Sequence, residues 1–188
     1  MRQRNVMSLG VALAGLLAGG SAAACALHTL SPELKISHPK ALRVAMATRA
    51  ALDTGLIAPL PEGDEVRREA LQALARTSKE LAAYADEAEL SGPTYSVLLL
   101  RSGLWLRFNS WMGPARYHAP PAAPGETTLV LNESAYAALL AGRLSVPTAV
   151  EQGVLAVGGT HSAAATAHFA KLLAGFRESP MRVSARLQ

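Results

Sequence analysis

Residues 127–176 decide the fold of this chain and read TTLVLNESAYAALLAGRLSVPTAVEQGVLAVGGTHSAAATAHFAKLLAGF. Their apolar patterning and glycine positions predict, in order, a strand from Thr127 to Asn132, a helix from Glu133 to Gly142, a small helix through Gln152, a strand from Gly153 to Val157 and a closing helix from Thr160 to Phe176. Acids, bases and nucleophiles do not converge anywhere in this stretch. The pattern therefore favours an apolar surface that holds a hydrophobic molecule.

Length and composition limit the chain to one core. Its 188 residues are half hydrophobic but only 5% aromatic, which predicts an aliphatic, helix-rich core. The formal net charge of +4 falls to +2 without Arg2 and Arg4, which lie in a segment we expect to be removed. The remaining charges are scattered, whereas nucleic-acid binders cluster theirs. Nucleic acid is therefore not an expected partner.

Residues 1–26 have the layout of an export signal. Arg2 and Arg4 precede an uncharged run of small and apolar residues, and Ala22-Ala23-Ala24 stands before Cys25, the single cysteine. The same site resembles a bacterial lipoprotein processing site, at which Cys25 would be lipidated, so a plain signal peptide and a lipoprotein signal both stay open. We expect an exported protein, periplasmic or membrane-associated. An organelle-targeted protein is the alternative, because no acidic residue precedes Glu33.

Between this signal and the core, residues 27–63 are expected to form a tether. Ser31-Pro32 and His38-Pro39 interrupt the segment, Lys40 to Leu52 is compatible with a short helix, and a proline and glycine cluster ends it.

The core begins with a long helix and a hairpin. Asp64 to Ala88 repeats apolar residues on one helical face, and Ser91-Gly92-Pro93 ends the helix. Tyr95 to Leu100 and Leu104 to Asn109 predict two hairpin strands, the first apolar on both faces. With a third strand at Ala115 to Ala119, short links favour an antiparallel meander that reaches the strand at Thr127. Trp111 and Met112 lie in the loop between the second and third predicted strands. They are expected to line a pocket mouth, to contact a membrane or to pack in the core.

Three segments resemble the sterol carrier protein type-2 family: Leu129 to Ser134, Leu139 to Leu144 and Ala149 to Gly159. That family shows a helix closing in Gly-Lys-Leu, a short Ala-Phe-x-Gln-Gly segment, an alternating strand, Gly-Asp and an apolar final helix. Matching places are held by Gly142, Leu144, Ala149, Gln152, Gly153, Leu155, Val157 and Gly159. The sequence departs from the family pattern at three positions: Arg143 stands where the family has Lys, Thr160 where it has Asp, and Val150 where it has an aromatic residue. The smaller Val150 changes the bulk next to a ligand.

The resemblance implies an α+β fold, a mostly antiparallel five-stranded sheet covered by helices, with residues 64–180 as a sterol-carrier-like lipid-binding domain. It also implies an apolar tunnel between sheet and helices for a fatty acyl chain, sterol, phospholipid or quinone. Ten residues are expected to belong either to the core or to the tunnel wall: Leu106, Phe108, Leu129, Leu131, Leu155, Val157, Phe169, Leu172, Leu173 and Phe176. The alternative is a protein interaction or dimerisation scaffold, or an accessory to a lipid- or quinone-processing enzyme, without ligand.

Catalysis, cofactors and metals are not expected. His161 and His168 are two helical turns apart, ~10 Å along the axis, which is too far for one ion without further ligands. Glu65, Glu69 and Asp86 on the long helix have no partner nearby in sequence and read as a solvated face. The expected partners are a hydrophobic lipid and, second, a membrane surface; the sequence does not give the oligomeric state.

Overall fold

The computed structural model describes residues 38–88, 90, 92–108 and 114–179. Its helices are α1 (Ala41–Asp53), α2 (Asp64–Glu87), α3 (Glu133–Leu140), α4 (Val146–Glu151) and α5 (Ser162–Glu178). Its strands are β1 (Tyr95–Leu99), β2 (Leu104–Phe108), β3 (Arg116–Tyr117), β4 (Thr128–Leu131) and β5 (Leu155–Gly158). The predicted α+β class and the order of elements from α2 to α5 are confirmed.

The five strands form one sheet in the order β3-β2-β1-β4-β5. The predicted hairpin is present, because β1 and β2 pair antiparallel with Val97 opposite Leu106. The predicted meander is wrong: β4 lies parallel to β1, with Val97 opposite Leu129, and does not pair with β3. The sheet is therefore mixed rather than mostly antiparallel.

Burial explains this topology. Every residue of β1 and of β4 is buried, so both strands are covered on both faces. Strands apolar on both faces belong in the middle of a sheet, where layers cover both sides. The two-residue β3 has an exposed and a partly buried residue, and it forms an edge. Placing β4 beside β1 puts the two most apolar strands together at the centre.

The larger core lies between one face of the sheet and helices α2, α3 and α5. Tyr95, Val97 and Leu99 of β1 point to this face, with Leu129 and Leu131 of β4. All five side chains are at most 1% exposed. This layer confirms that helices cover the predicted sheet.

The opposite face of the sheet is covered by α1, which lies in the segment predicted as a tether. Ala41 and Val44 of α1 pack against Leu98, Leu100 and Val130 of the sheet. The apolar spacing of α1 produces this contact, because residues three and four apart share one helical face. The described part of residues 27–63 therefore contributes a structural layer.

One glycine shows how tightly β5 joins α5. Gly159 has φ +100°, a conformation that side chains other than glycine rarely adopt. A Cβ atom there would lie 2.5 Å from the Thr127 Cα atom, at the start of β4. The turn can therefore bring α5 back over the sheet only with glycine at this position.

Candidate functional site

Nine of the ten residues predicted to line a tunnel are buried in the larger core. They are Leu106, Phe108, Leu129, Leu131, Leu155, Phe169, Leu172, Leu173 and Phe176, each at most 2% exposed. Their rings pack on one another: the Phe108 and Phe169 centroids are 6.4 Å apart, and Tyr95 stacks on Phe108 at 5.3 Å. These nine side chains line neither of the two cavities described below.

The tenth residue, Val157, is partly buried and lines an apolar groove at the edge of the sheet. The groove has a volume of about 500 Å³ and opens to solvent between α4, β5 and α5. We call it the α4–α5 groove. It is lined by Val146, Pro147, Val150, Val157, Ser162, Ala163, Thr166, Ala167 and Ala170. This concave surface is our candidate functional site.

The sequence of α5 explains why the groove exists. Along this helix, large residues at Phe169, Leu172 and Phe176 fill the core, whereas residues 162, 163, 166, 167 and 170 are small and line the groove. Positions one turn apart lie above one another on a helix, so these small residues form a continuous strip. The strip keeps α5 from filling the space beside β5.

Helix α4 forms the opposite wall. It is capped by Ser145, whose Oγ atom accepts a hydrogen bond of 3.2 Å from the Thr148 backbone N–H. Val150 lines the groove and is 39% exposed, one of the large apolar side chains that stand out to solvent.

The side-chain hydroxyl groups of the lining, those of Ser162 and Thr166, form hydrogen bonds with backbone carbonyl groups. Ser162 Oγ donates to the Gly159 carbonyl oxygen at 2.6 Å, and Thr166 Oγ1 donates to the Ser162 carbonyl oxygen at 2.7 Å. A hydroxyl already bonded in this way has little need of a polar ligand. On the outer edge of β5, Lys40 Nζ donates to the Val157 carbonyl oxygen. The groove therefore offers a mainly apolar contact surface.

His161, which precedes α5, and His168, which lies on it, do not form a reactive site. His161 is exposed, whereas His168 Nε2 lies 3.1 Å from the Leu90 carbonyl oxygen and Nδ1 lies 3.0 Å from the Tyr95 hydroxyl. Because the Leu90 carbonyl can only accept, His168 Nε2 donates to it, and Nδ1 is hydrogen-bonded to the Tyr95 hydroxyl. Burial, and secondarily Tyr136, raise the pKa of Tyr95, so its hydroxyl keeps its proton. His168 thus ties α5 to β1.

The acidic residues of α2 also stay apart from the groove. Asp86 Oδ1 accepts a hydrogen bond of 2.5 Å from the Ala115 backbone N–H, and Glu65 and Glu69 are exposed. Over the described ranges, the structure groups no three His, Cys, Asp or Glu side chains in a way that could hold a metal ion. In the same ranges, no helix is long and apolar enough to cross a bilayer. Cys25, Trp111 and Met112 lie outside the described residues.

Sequence reasoning missed most of the groove. It selected large apolar residues, whereas the lining includes Ala163, Ala167 and Ala170, which are small. One feature of the sequence could have indicated the groove: small residues recur about once per turn along α5, next to the large residues that fill the core. Lys40 carried no sequence signal, because its contact with β5 joins residues 117 positions apart.

Comparison with known proteins finds structures of sterol carrier proteins. No family model matches the sequence, and no curated protein does. A structure of sterol carrier protein 2 is 22% identical, with 58% of this chain and 95% of that chain covered and a TM-score of 0.38. This chain is similar to sterol carrier protein domains. The UbiJ-SCP2 ubiquinone synthesis protein is 15% identical (64% of this chain, 98% of that chain, TM-score 0.38).

A third similar structure is the apo form of sterol carrier protein 2 from Yarrowia lipolytica. It is 14% identical, with 55% of this chain and 81% of that chain covered and a TM-score of 0.35. The similarity of these structures concerns the fold alone, and the choice of ligand has to be argued from the residues of this chain.

Proposed function

We propose that the protein binds the hydrophobic part of a lipid in the α4–α5 groove and performs no chemistry on it. The observation that carries the proposal is the groove itself, a concave surface of about 500 Å³ with an apolar lining. Small-molecule sites are commonly concave, mostly apolar and between about 300 and 1,000 Å³ in volume. Sequence resemblance to the sterol carrier protein type-2 family agrees with this ligand class.

Energetics favour a hydrocarbon over a polar ligand. Each buried methylene group contributes ~0.8 kcal/mol, so a sixteen-carbon chain offers roughly 13 kcal/mol before ordering costs. By contrast, an exposed ion pair contributes about 0–1 kcal/mol. The groove is open, so a chain lying in it would bury only part of its surface. Even partial burial of such a chain contributes more binding free energy than one exposed ion pair.

The test is a binding assay on the purified protein. Organic extraction followed by mass spectrometry should recover about one lipid per protein, and a fluorescent fatty acid should bind and be displaced by unlabelled lipid. A clean extract together with no saturable binding of the fluorescent fatty acid would refute a lipid carrier.

A pair of variants on α5 locates the site. Ala167 lines the groove, whereas Ala164, also exposed and on the same helix, does not. Ala167→Phe should fill the groove and weaken fatty acid binding at least tenfold, while Ala164→Phe should stay within twofold of the original protein. Equal affinities in the two variants would place the ligand elsewhere.

The second candidate is an interaction scaffold, for a partner protein or a second copy of the chain. The observation in its favour is that nine of the predicted tunnel residues pack against one another in the core. In that case the exposed Val150 and its neighbours would meet a protein surface. The two candidates differ in one result: a scaffold remains free of lipid in the extraction assay.

Export and membrane attachment remain proposals from the sequence. We propose that residues 1–26 direct export and that Cys25 carries the lipid anchor. Lipoprotein processing supplies several acyl chains, and one chain alone anchors only marginally. Cys25→Ser should therefore move the protein from the membrane fraction to the soluble fraction. Unchanged partitioning would leave plain secretion or the organelle alternative.

A further inference from the structure

A second cavity lies toward the β3 edge of the sheet, between α2, the β1–β2 turn and the start of α3. Its volume is about 150 Å³, and none of its lining residues belongs to the α4–α5 groove. An engineered protein cavity of about this volume admits benzene, so a ligand of about six non-hydrogen atoms fits. The apolar part of the lining is Leu71, Leu74, Ala75, Leu99 and Leu104.

The polar part of the lining contains a buried carboxylate. Glu133 is only 1% exposed, and its Oε1 and Oε2 atoms accept hydrogen bonds from the Ser102 and Arg101 backbone N–H groups at 2.6 and 3.1 Å. Each carboxylate oxygen can accept a further hydrogen bond. Glu133 makes none of the ion pairs that the described part of the chain contains. Within the described residues, the Glu133 carboxylate is thus bound by two backbone N–H groups and by no cationic side chain.

Two aromatic side chains belong to the lining of this cavity. Tyr117 and His118 line it, and their ring centroids lie 4.3 Å apart, edge to face. His118 has φ +58°, a left-handed conformation uncommon for a residue with a side chain. Such conformations persist where the surrounding structure imposes them, often at binding sites. A tyrosine ring attracts cations, and a carboxylate that lines the same cavity does so as well.

We propose that this cavity binds a small organic cation, a primary ammonium group carried on a short apolar chain. The ammonium group would donate to Glu133, and the chain would lie against Leu74 and Leu104. Tyr117 and His118 would form the aromatic part of the wall around it. This site is separate from the α4–α5 groove, and the inference does not depend on lipid binding there.

The test compares two ligands of equal size in amide NMR titrations. n-Butylammonium and n-butanol have the same number of non-hydrogen atoms and differ in charge. Butylammonium should cause saturable shifts at Ser102, Gly103 and His118, with an affinity at least tenfold above that of butanol. Equal affinities, or changes that do not saturate and spread over the surface, would overturn the proposal.

Variants of α2 and α3 complete the test. Ala75 lines the cavity and Ala83 is exposed further along α2, so Ala75→Phe should abolish butylammonium binding while Ala83→Phe keeps it within twofold. Glu133→Gln should weaken binding at least tenfold. Unchanged affinity in Ala75→Phe or in folded Glu133→Gln would overturn the proposal. If Glu133→Gln loosens the β1–β2 turn and fails to fold, the Ala75 and Ala83 pair decides alone.

Discussion

Two buried tyrosines show how the same residue type contributes differently to stability. The Tyr95 hydroxyl is bonded to His168 Nδ1 at 3.0 Å. The Tyr136 hydroxyl, fully buried, has no hydrogen bond within the described residues. Its neighbour Ser78 donates instead to the Leu74 carbonyl oxygen at 2.7 Å. Burial raises the pKa of Tyr136.

We therefore predict opposite outcomes for removing the two hydroxyls. Tyr95→Phe should lower the free energy of unfolding by about 1–2 kcal/mol, because it leaves the partly buried Nδ1 atom of His168 without this partner. Tyr136→Phe should leave that free energy unchanged or raise it by up to about 1 kcal/mol, because an unpaired buried hydroxyl is lost. Urea unfolding of both variants measures this. A larger loss for Tyr136→Phe than for Tyr95→Phe would contradict the hydrogen-bond assignments.

The turn at Gly159 gives a second prediction at this scale. Gly159→Ala should cost about 2 kcal/mol or more, because a left-handed backbone and a clash with Thr127 combine. Gly103→Ala is the matched control: its φ is +64°, but nothing lies within 4 Å of the added Cβ atom. The control should cost only ~1 kcal/mol, the backbone strain alone. Similar losses for both variants in urea unfolding would show that the Thr127 contact is unimportant.

At the scale of elements, α1 gives the clearest prediction. Val44 is fully buried against the sheet, whereas Leu42 on the same helix is 46% exposed. Val44→Ala should lower the free energy of unfolding by about 2 kcal/mol, from lost apolar burial and the cavity left behind. Leu42→Ala should change it by less than about 0.5 kcal/mol. Equal, small effects would mean that α1 does not stabilise the sheet.

The sequence predicted most elements because their signals are local. A glycine turn of a few residues indicates the β1–β2 hairpin. After Thr127, the succession of strand, helix and glycine patterns indicates the type of each element and the order of the elements. The parallel pairing of β4 with β1 could not be obtained this way, since it depends on a competition between distant strands. The position of α1 was missed for the same reason. A periodic 13-residue helix gives no sign of which sheet face it covers.

At the scale of the whole molecule, two cavities with different linings lie toward the two ends of the sheet. The α4–α5 groove is mainly apolar, and the cavity at the β1–β2 turn contains the buried Glu133. Sequence reasoning predicted an apolar surface within residues 127–176, the stretch that contains α4, β5 and α5. It assigned the lining to large residues because hydrophobicity alone cannot distinguish a filled core from a cavity wall. In this fold the large residues fill space and the small ones leave it open.

The most direct test of the account is photo-crosslinking with a fatty acid that carries a diazirine on its hydrocarbon chain, followed by peptide mass spectrometry. Lipid binding in the α4–α5 groove should give labels on the groove residues of α4 and α5, at Val150, Ala163 and Ala167, and these labels should be lost when excess unlabelled fatty acid competes. Labels confined to other surfaces, or labels that persist under competition, would contradict the claim that this groove holds a lipid.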